Sequence, residues 1–222
     1  MGASTRAHRV VVEATTRRAF ATALDWPGWS RGGRNEDAAV AALIASVPRF
    51  ALVSSAAGQM FNAAAGIEIV DRIAGSTYTD FGVPGAELAS DRDPLGEAEV
   101  SRSLALLEAS WKAYDRARAS GAAELRKGPR GGGRDRDKID AHVLEAERNY
   151  ASAVGAKLHE VTSRDQAALD GHRQSFIAAL RDAGARPAPP AGVKPKRWTF
   201  RYAVRRATWH ALDHAWEIED RS

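Results

Sequence analysis

Hydrophobic and polar positions follow two different periods along the chain, and the change from one to the other falls near residue 93. Before it, short extended patterns alternate with turns. Arg9-Val-Val-Val-Glu13, a turn around Thr15-Thr16-Arg17 and Arg18-Ala-Phe-Ala-Thr-Ala-Leu24 predict a β-hairpin, because β-branched and aromatic side chains favour extended backbone. A turn follows at Asp25-Trp26-Pro27-Gly28. Asn35 is placed to cap a helix, with Glu36 and Asp37 complementing its positive end, and apolar residues carry that helix to about Val47, where Pro48 ends or kinks it. Gly66 to Ile73 alternates as a strand should, and Ser76 to Phe81 is a candidate partner strand. These elements predict a small α+β domain over residues 1–93.

From Pro94 the period becomes helical. The first helix is expected from about Leu95 to Ser120, with Val100, Leu104, Leu107, Trp111 and Tyr114 on one face. After a glycine-rich connection, Gly121 to Gly133, a second is expected from Asp135 to Val154, with Gly155 as its C-terminal cap. A third runs from Ser163 to Ala183, closed by Gly184. The proline-rich Arg186-Pro-Ala-Pro-Pro190 then leads to a fourth, Arg197 to Asp220. Four helices of this length suggest an antiparallel four-helix bundle over residues 94–222, and an α+β chain overall.

Composition narrows the chemistry. No apolar run approaches the ~20 residues that cross a bilayer, and the N-terminus lacks the long apolar stretch of a secretory signal, so a cytoplasmic protein is expected. The net charge of +4 is spread among interleaved acids and bases, which argues against nucleic acid as a partner. With no cysteine, any metal must be held by histidine, carboxylate or water.

Histidine placement therefore matters most. His142 falls on the expected inner stripe Ile139, Val143, Ala146, Tyr150 of the second bundle helix. His210 and His214 fall on the stripe of the fourth, one turn apart, where two imidazoles can meet one ion and the small Ala207 and Ala211 leave room for it. Three histidines would leave coordination positions open to water or substrate. Nitrogen ligation suits a divalent transition metal, zinc, nickel, copper or iron alike. The alternative is that the histidines are separately satisfied core residues. Glu145, Asp213 and Glu217 are candidates to orient an imidazole or move a proton, against the plainer reading of solvated surface charges. His172 lies on the inner stripe of the third helix, as an extra ligand or a hydrogen-bonded core residue, whereas His8 and His159 read as surface or loop residues.

The segments Ala141-His-Val-Leu-Glu-Ala-Glu147, with Tyr150, and Arg206-Ala-Thr-Trp-His-Ala-Leu-Asp-His-Ala-Trp-Glu-Ile-Glu-Asp-Arg221 resemble the DinB-like (YfiT-like) superfamily of metal-binding four-helix bundles. There, one histidine of the second helix joins a His-x-x-x-His pair on the fourth. The resemblance implies metal ligation by His142, His210 and His214, and an activity of the thiol-dependent transferase, isomerase or hydrolase kind, with a small-molecule or thiol cosubstrate. Fold alone does not carry activity.

Phe20 to Gly28, then Gly32-Gly33 and Glu36-Asp-Ala-Ala39, resemble the HicB-like antitoxin fold, although Trp29 stands where a small residue or cysteine is expected. No separate DNA-binding module follows. That domain is expected to recognise a partner, or to pack on or lid the bundle, with Trp26 and Trp29 either partner-facing or ordinary core. Arg130-Gly-Gly-Gly-Arg134 follows no strand and lacks the lysine and hydroxyl of a phosphate loop, so it reads as a flexible connection. A metal-dependent enzyme and a non-catalytic binding protein both remain open. The prevalence of two-fold assemblies makes a homodimer plausible.

Overall fold

The computed structural model describes residues 6–128, 133–187 and 195–222. The chain is mixed α+β and divides into two compact units, residues 1–88 and 89–222.

In the first unit, β1 (His8–Ala14) and β2 (Ala19–Ala23) form the expected antiparallel hairpin. A third strand that the alternation did not reveal, β3 (Ser30–Gly33), pairs antiparallel with β2, and β4 (Ile67–Ala74) lies parallel to β1. The sheet order is β3-β2-β1-β4. β3 escaped the sequence reading because Ser-Arg-Gly-Gly has no alternation and little β propensity. Its glycines are dictated by packing: a Cβ on Gly33 would collide with the backbone of Ala38 and Ala39.

α1 (Glu36–Ala45) begins where Asn35 accepts a hydrogen bond from the Ala38 amide at 2.9 Å. It stops two residues before the expected Val47, and Pro48 lies not at its end but in the first turn of a separate helix, α2 (Val47–Ala56), where a missing N–H has no cost. Trp29 stabilises the break. Its indole N–H reaches the Leu43 carbonyl (3.2 Å) and Ser46 Oγ (3.0 Å), and its ring stacks on Phe50 at 5.6 Å. Trp26 and Trp29 are thus buried core rather than partner-facing. His8 is likewise buried, contrary to expectation, with its ring stacked on Phe61. Trp26 donates to its Nδ1 at 3.1 Å, which leaves the proton on Nε2 facing the Asn62 carbonyl at 3.0 Å.

The candidate strand Ser76–Phe81 is instead a short helix, α3 (Thr77–Asp80), capped by Ser76. A buried carboxylate explains the switch. Glu13 accepts hydrogen bonds from Thr79 Oγ1 (2.9 Å) and from the amides of Gly85 (3.1 Å) and Ala86 (3.0 Å), so the chain from Thr79 to Ala86 folds around this side chain instead of extending along an edge.

The second unit opens with a 3₁₀ turn, Ala89–Arg92, which belongs here because buried Asp91 pairs with buried Arg205. Four long helices follow: α4 (Glu97–Ser120), α5 (Arg136–Val154), α6 (Gln166–Ala185) and α7 (Phe200–Arg221). α7 packs against each of the other three, α5 also packs on α6, and α4 on α6. The predicted stripe of α4 is buried. Gly155 closes α5 with φ 98°, while Gly184 is helical and α6 ends only after Ala185. α6 starts at Gln166 rather than Ser163, since Ser163 Oγ binds Asp140 and Asp165 caps the helix through the Ala168 amide. Pro129–Gly132 of the glycine-rich connection and Ala188–Pro190 of the proline-rich one lie outside the described residues. Among the described residues no single helix is long and apolar enough to cross a membrane; α1 and α2 reach that length only as a pair bent by 51°.

Replacing Glu13 by alanine removes three hydrogen bonds, one from the buried Thr79 hydroxyl and two from the half-buried Gly85 and Ala86 amides, and should destabilise the first unit by about 1–3 kcal/mol. Chemical denaturation with amide exchange at Gly85 and Ala86 checks it: both amides should lose protection first.

Candidate metal centre

α7 brings His210 and His214 to one face because its residues advance 3.6 per turn, and their ring centroids lie 4.5 Å apart. His142 comes from α5, which packs directly on α7, with its ring 4.9 Å from His210 and 5.1 Å from His214. One nitrogen from each of the three lies within 4.8 Å of the other two. The ring nitrogens of His142 and His210 face each other, Nε2 to Nε2, at 3.1 Å. Two ligands held ~2.0–2.1 Å from one ion at a tetrahedral angle stand roughly 3.3 Å apart, so this spacing fits shared coordination. His210 and His214 are buried, and His142 is half-buried.

The third histidine is oriented from outside the cluster. His214 donates from Nδ1 to Glu217 at 2.8 Å, which fixes the tautomer and leaves Nε2 as an acceptor able to ligate. Of the three candidate carboxylates, Glu217 is therefore in contact with a clustered histidine, Glu145 is exposed, and Asp213 is half-buried.

Electrostatics favour the neutral form of His142 and His210. Burial, then the charges of His214 and Arg134, hold His142 below its ordinary value. Burial, then His214, His142, Arg206 and Arg134, hold His210 well below it. Burial alone would raise Glu217, but the hydrogen bond and charge of His214, with Arg221, bring it net below the usual carboxylate range. Arg206 lies one turn before His210 on α7, with its guanidinium over the rings of Tyr150 (5.8 Å) and Trp209 (5.4 Å). Arg206 and Arg221 carry no role in the sequence analysis, and Arg134 reads there only as part of a flexible connection. The Glu217/Arg221 spacing of four along a helix was the available signal.

His172 does not join the cluster. It is buried opposite Glu147, Nε2 to Oε2 at 3.3 Å, in the interior shared by α5 and α6. His159 is exposed. A separate groove of about 520 Å³, lined by residues including Arg118, Asp140, Leu144 and Ser163, contains none of the three clustered histidines.

No protein-family model, no curated protein and no solved structure matches this chain. The three-histidine cluster, which could hold a metal ion, rests on geometry alone.

Two outcomes follow from these environments. Because His142 and His210 are held below 6.5 in the folded chain, the unfolded chain takes up protons first as pH falls. Stability of the metal-free protein should be full above pH 6.5 and decline below it, and His210→Gln should flatten that decline in a melting-temperature series from pH 7.5 to 5.5. Glu217 adds its own loss only below 4.5. Separately, His172→Leu leaves the buried Glu147 carboxylate facing an apolar side chain and should cost about 1–3 kcal/mol, while the double change Glu147→Leu/His172→Leu should recover much of that loss. Urea titration of both variants decides this.

Proposed function

We propose that the chain is a metal-dependent enzyme of the DinB-like kind, in which α4 to α7 form a four-helix bundle carrying a His142/His210/His214 centre. The observation that carries this reading is the convergence of three imidazoles, two buried and one half-buried, from two packed helices, two of them 3.1 Å apart and the third oriented by a carboxylate. Separately satisfied core histidines would have no need to aim two ring nitrogens at each other. The metal is of the zinc, nickel or iron type, since nitrogen ligation suits each.

A metal held there would supply Lewis acidity to a substrate carbonyl, or to a water or thiol at an open position. The chain's own residues do the rest. Glu217 holds the His214 ring and its tautomer. Arg134 and Arg206 add positive charge beside the imidazoles, which favours an anionic substrate or a thiol cosubstrate in its thiolate form. The reaction is of the thiol-dependent transferase, isomerase or hydrolase kind, in a cytoplasmic setting and without nucleic acid or membrane as partner.

A second reading, a non-catalytic binding protein, has one observation in its favour. The first unit, proposed as HicB-like, exposes Leu52, Met60, Tyr78 and Phe81, the last at 84%. Such side chains suit partner recognition, a second copy of the chain included.

Elemental analysis of purified untagged protein beside its His142→Ala/His210→Ala/His214→Ala variant tests the first reading. Near-stoichiometric metal in the parent and none in the variant is expected, followed by turnover in a thiol-transfer and hydrolase screen. Metal retained by the triple variant would remove these residues from the site.

A further inference from the structure

Glu217 sits one turn from His214 with its side chain 29% exposed, so nothing in the His214 contact alone keeps its carboxylate from swinging toward water. The structure supplies a second hold. Arg221, one turn further along α7, gives NH1 to the other carboxylate oxygen of Glu217. Arg221 is itself pinned: its Nε donates to the Arg126 carbonyl at 2.9 Å, and its own carbonyl accepts from the Arg126 amide at 2.8 Å. The Arg126 guanidinium closes the loop on the Asp220 carbonyl. Gly133 packs so closely on the Arg221 guanidinium that a Cβ there would stand 2.8 Å from Cζ, and its φ of 119° suits glycine.

We propose that Arg221 is a positioning residue of the metal centre, acting through Glu217 on His214. The inference rests on the metal-centre reading and extends it outward by two residues. An ordinary exposed i, i+4 pair contributes only a few tenths of a kcal/mol and constrains nothing beyond itself. Arg221 differs in being held at two of its nitrogens, Nε by the Arg126 carbonyl and NH1 by Glu217, with Gly133 leaving no room beside the third, so the guanidinium that grips the Glu217 carboxylate is itself fixed in place. Outer partners of this kind typically affect metal affinity 10–100-fold.

Cobalt(II) loaded into the full chain reads the centre directly through its visible ligand-field bands. Arg221→Ala should weaken cobalt affinity by about tenfold and alter those bands, and Arg221→Lys, which keeps a cation, should restore part of both. Because Arg221 works through Glu217, adding Arg221→Ala to Glu217→Ala should cost no further affinity beyond about twofold. Unchanged affinity and bands in Arg221→Ala would overturn the proposal and leave the metal centre standing, as would additive losses in the double variant. A parent chain that takes up no cobalt would remove the metal centre and this inference with it.

Discussion

The second unit depends on one constraint: α7 contacts all three other long helices and is buried over most of its length, yet its sequence carries Arg205, Arg206, Thr208, His210 and His214. A polar group buried without a partner costs several kcal/mol, so each must be answered locally. Arg205 meets Asp91, Thr208 returns its hydroxyl to the Val204 carbonyl, and Arg206 lies over Tyr150 and Trp209. The histidines are answered by one another and by Glu217. Without an ion, one neutral imidazole can donate its N–H to the facing nitrogen of the other, a hydrogen bond that 3.1 Å allows. A shared cation satisfies both lone pairs at once. In this sense the demand for satisfaction along α7 is what gathers the three histidines.

Much of this arrangement was legible in the residues. The stripe of α4, the Gly155 cap and the His210/His214 spacing follow from helical periodicity, and the Asn35 cap from side-chain chemistry. What escaped depends on contacts distant in sequence. β3 exists because Ser30–Gly33 pairs with β2, not because of its own propensity. Ser76–Phe81 reads as a strand until the Glu13 carboxylate, more than sixty residues earlier, claims its Thr79 hydroxyl and the Gly85 and Ala86 amides just beyond it. His8 reads as surface because its aromatic neighbours arrive from two distant segments, Trp26 and Trp29 from the turn before β3 and Phe61 from beyond α2. His172 lies on an inner stripe as expected, but only the packing of α5 on α6 reveals that it meets Glu147 and not the other histidines.

The two units manage buried charge in a related way. In the first, Glu13 organises a returning segment through neutral donors; in the second, Glu217 sits between a histidine and an arginine and is held by both. A carboxylate with fixed donors on both oxygens is a rigid element, and rigidity is what a coordination site needs from its surroundings. The neutral state favoured for His142 and His210 serves the same end, since a protonated imidazole cannot ligate.

The central claim is that three imidazole nitrogens share one ion. X-ray absorption at the zinc edge of the zinc-loaded chain measures this most directly. The account predicts a first shell with three imidazole nitrogens at ~2.0–2.1 Å and their outer-ring scattering. A shell of oxygen neighbours alone, with no imidazole scattering, would contradict it.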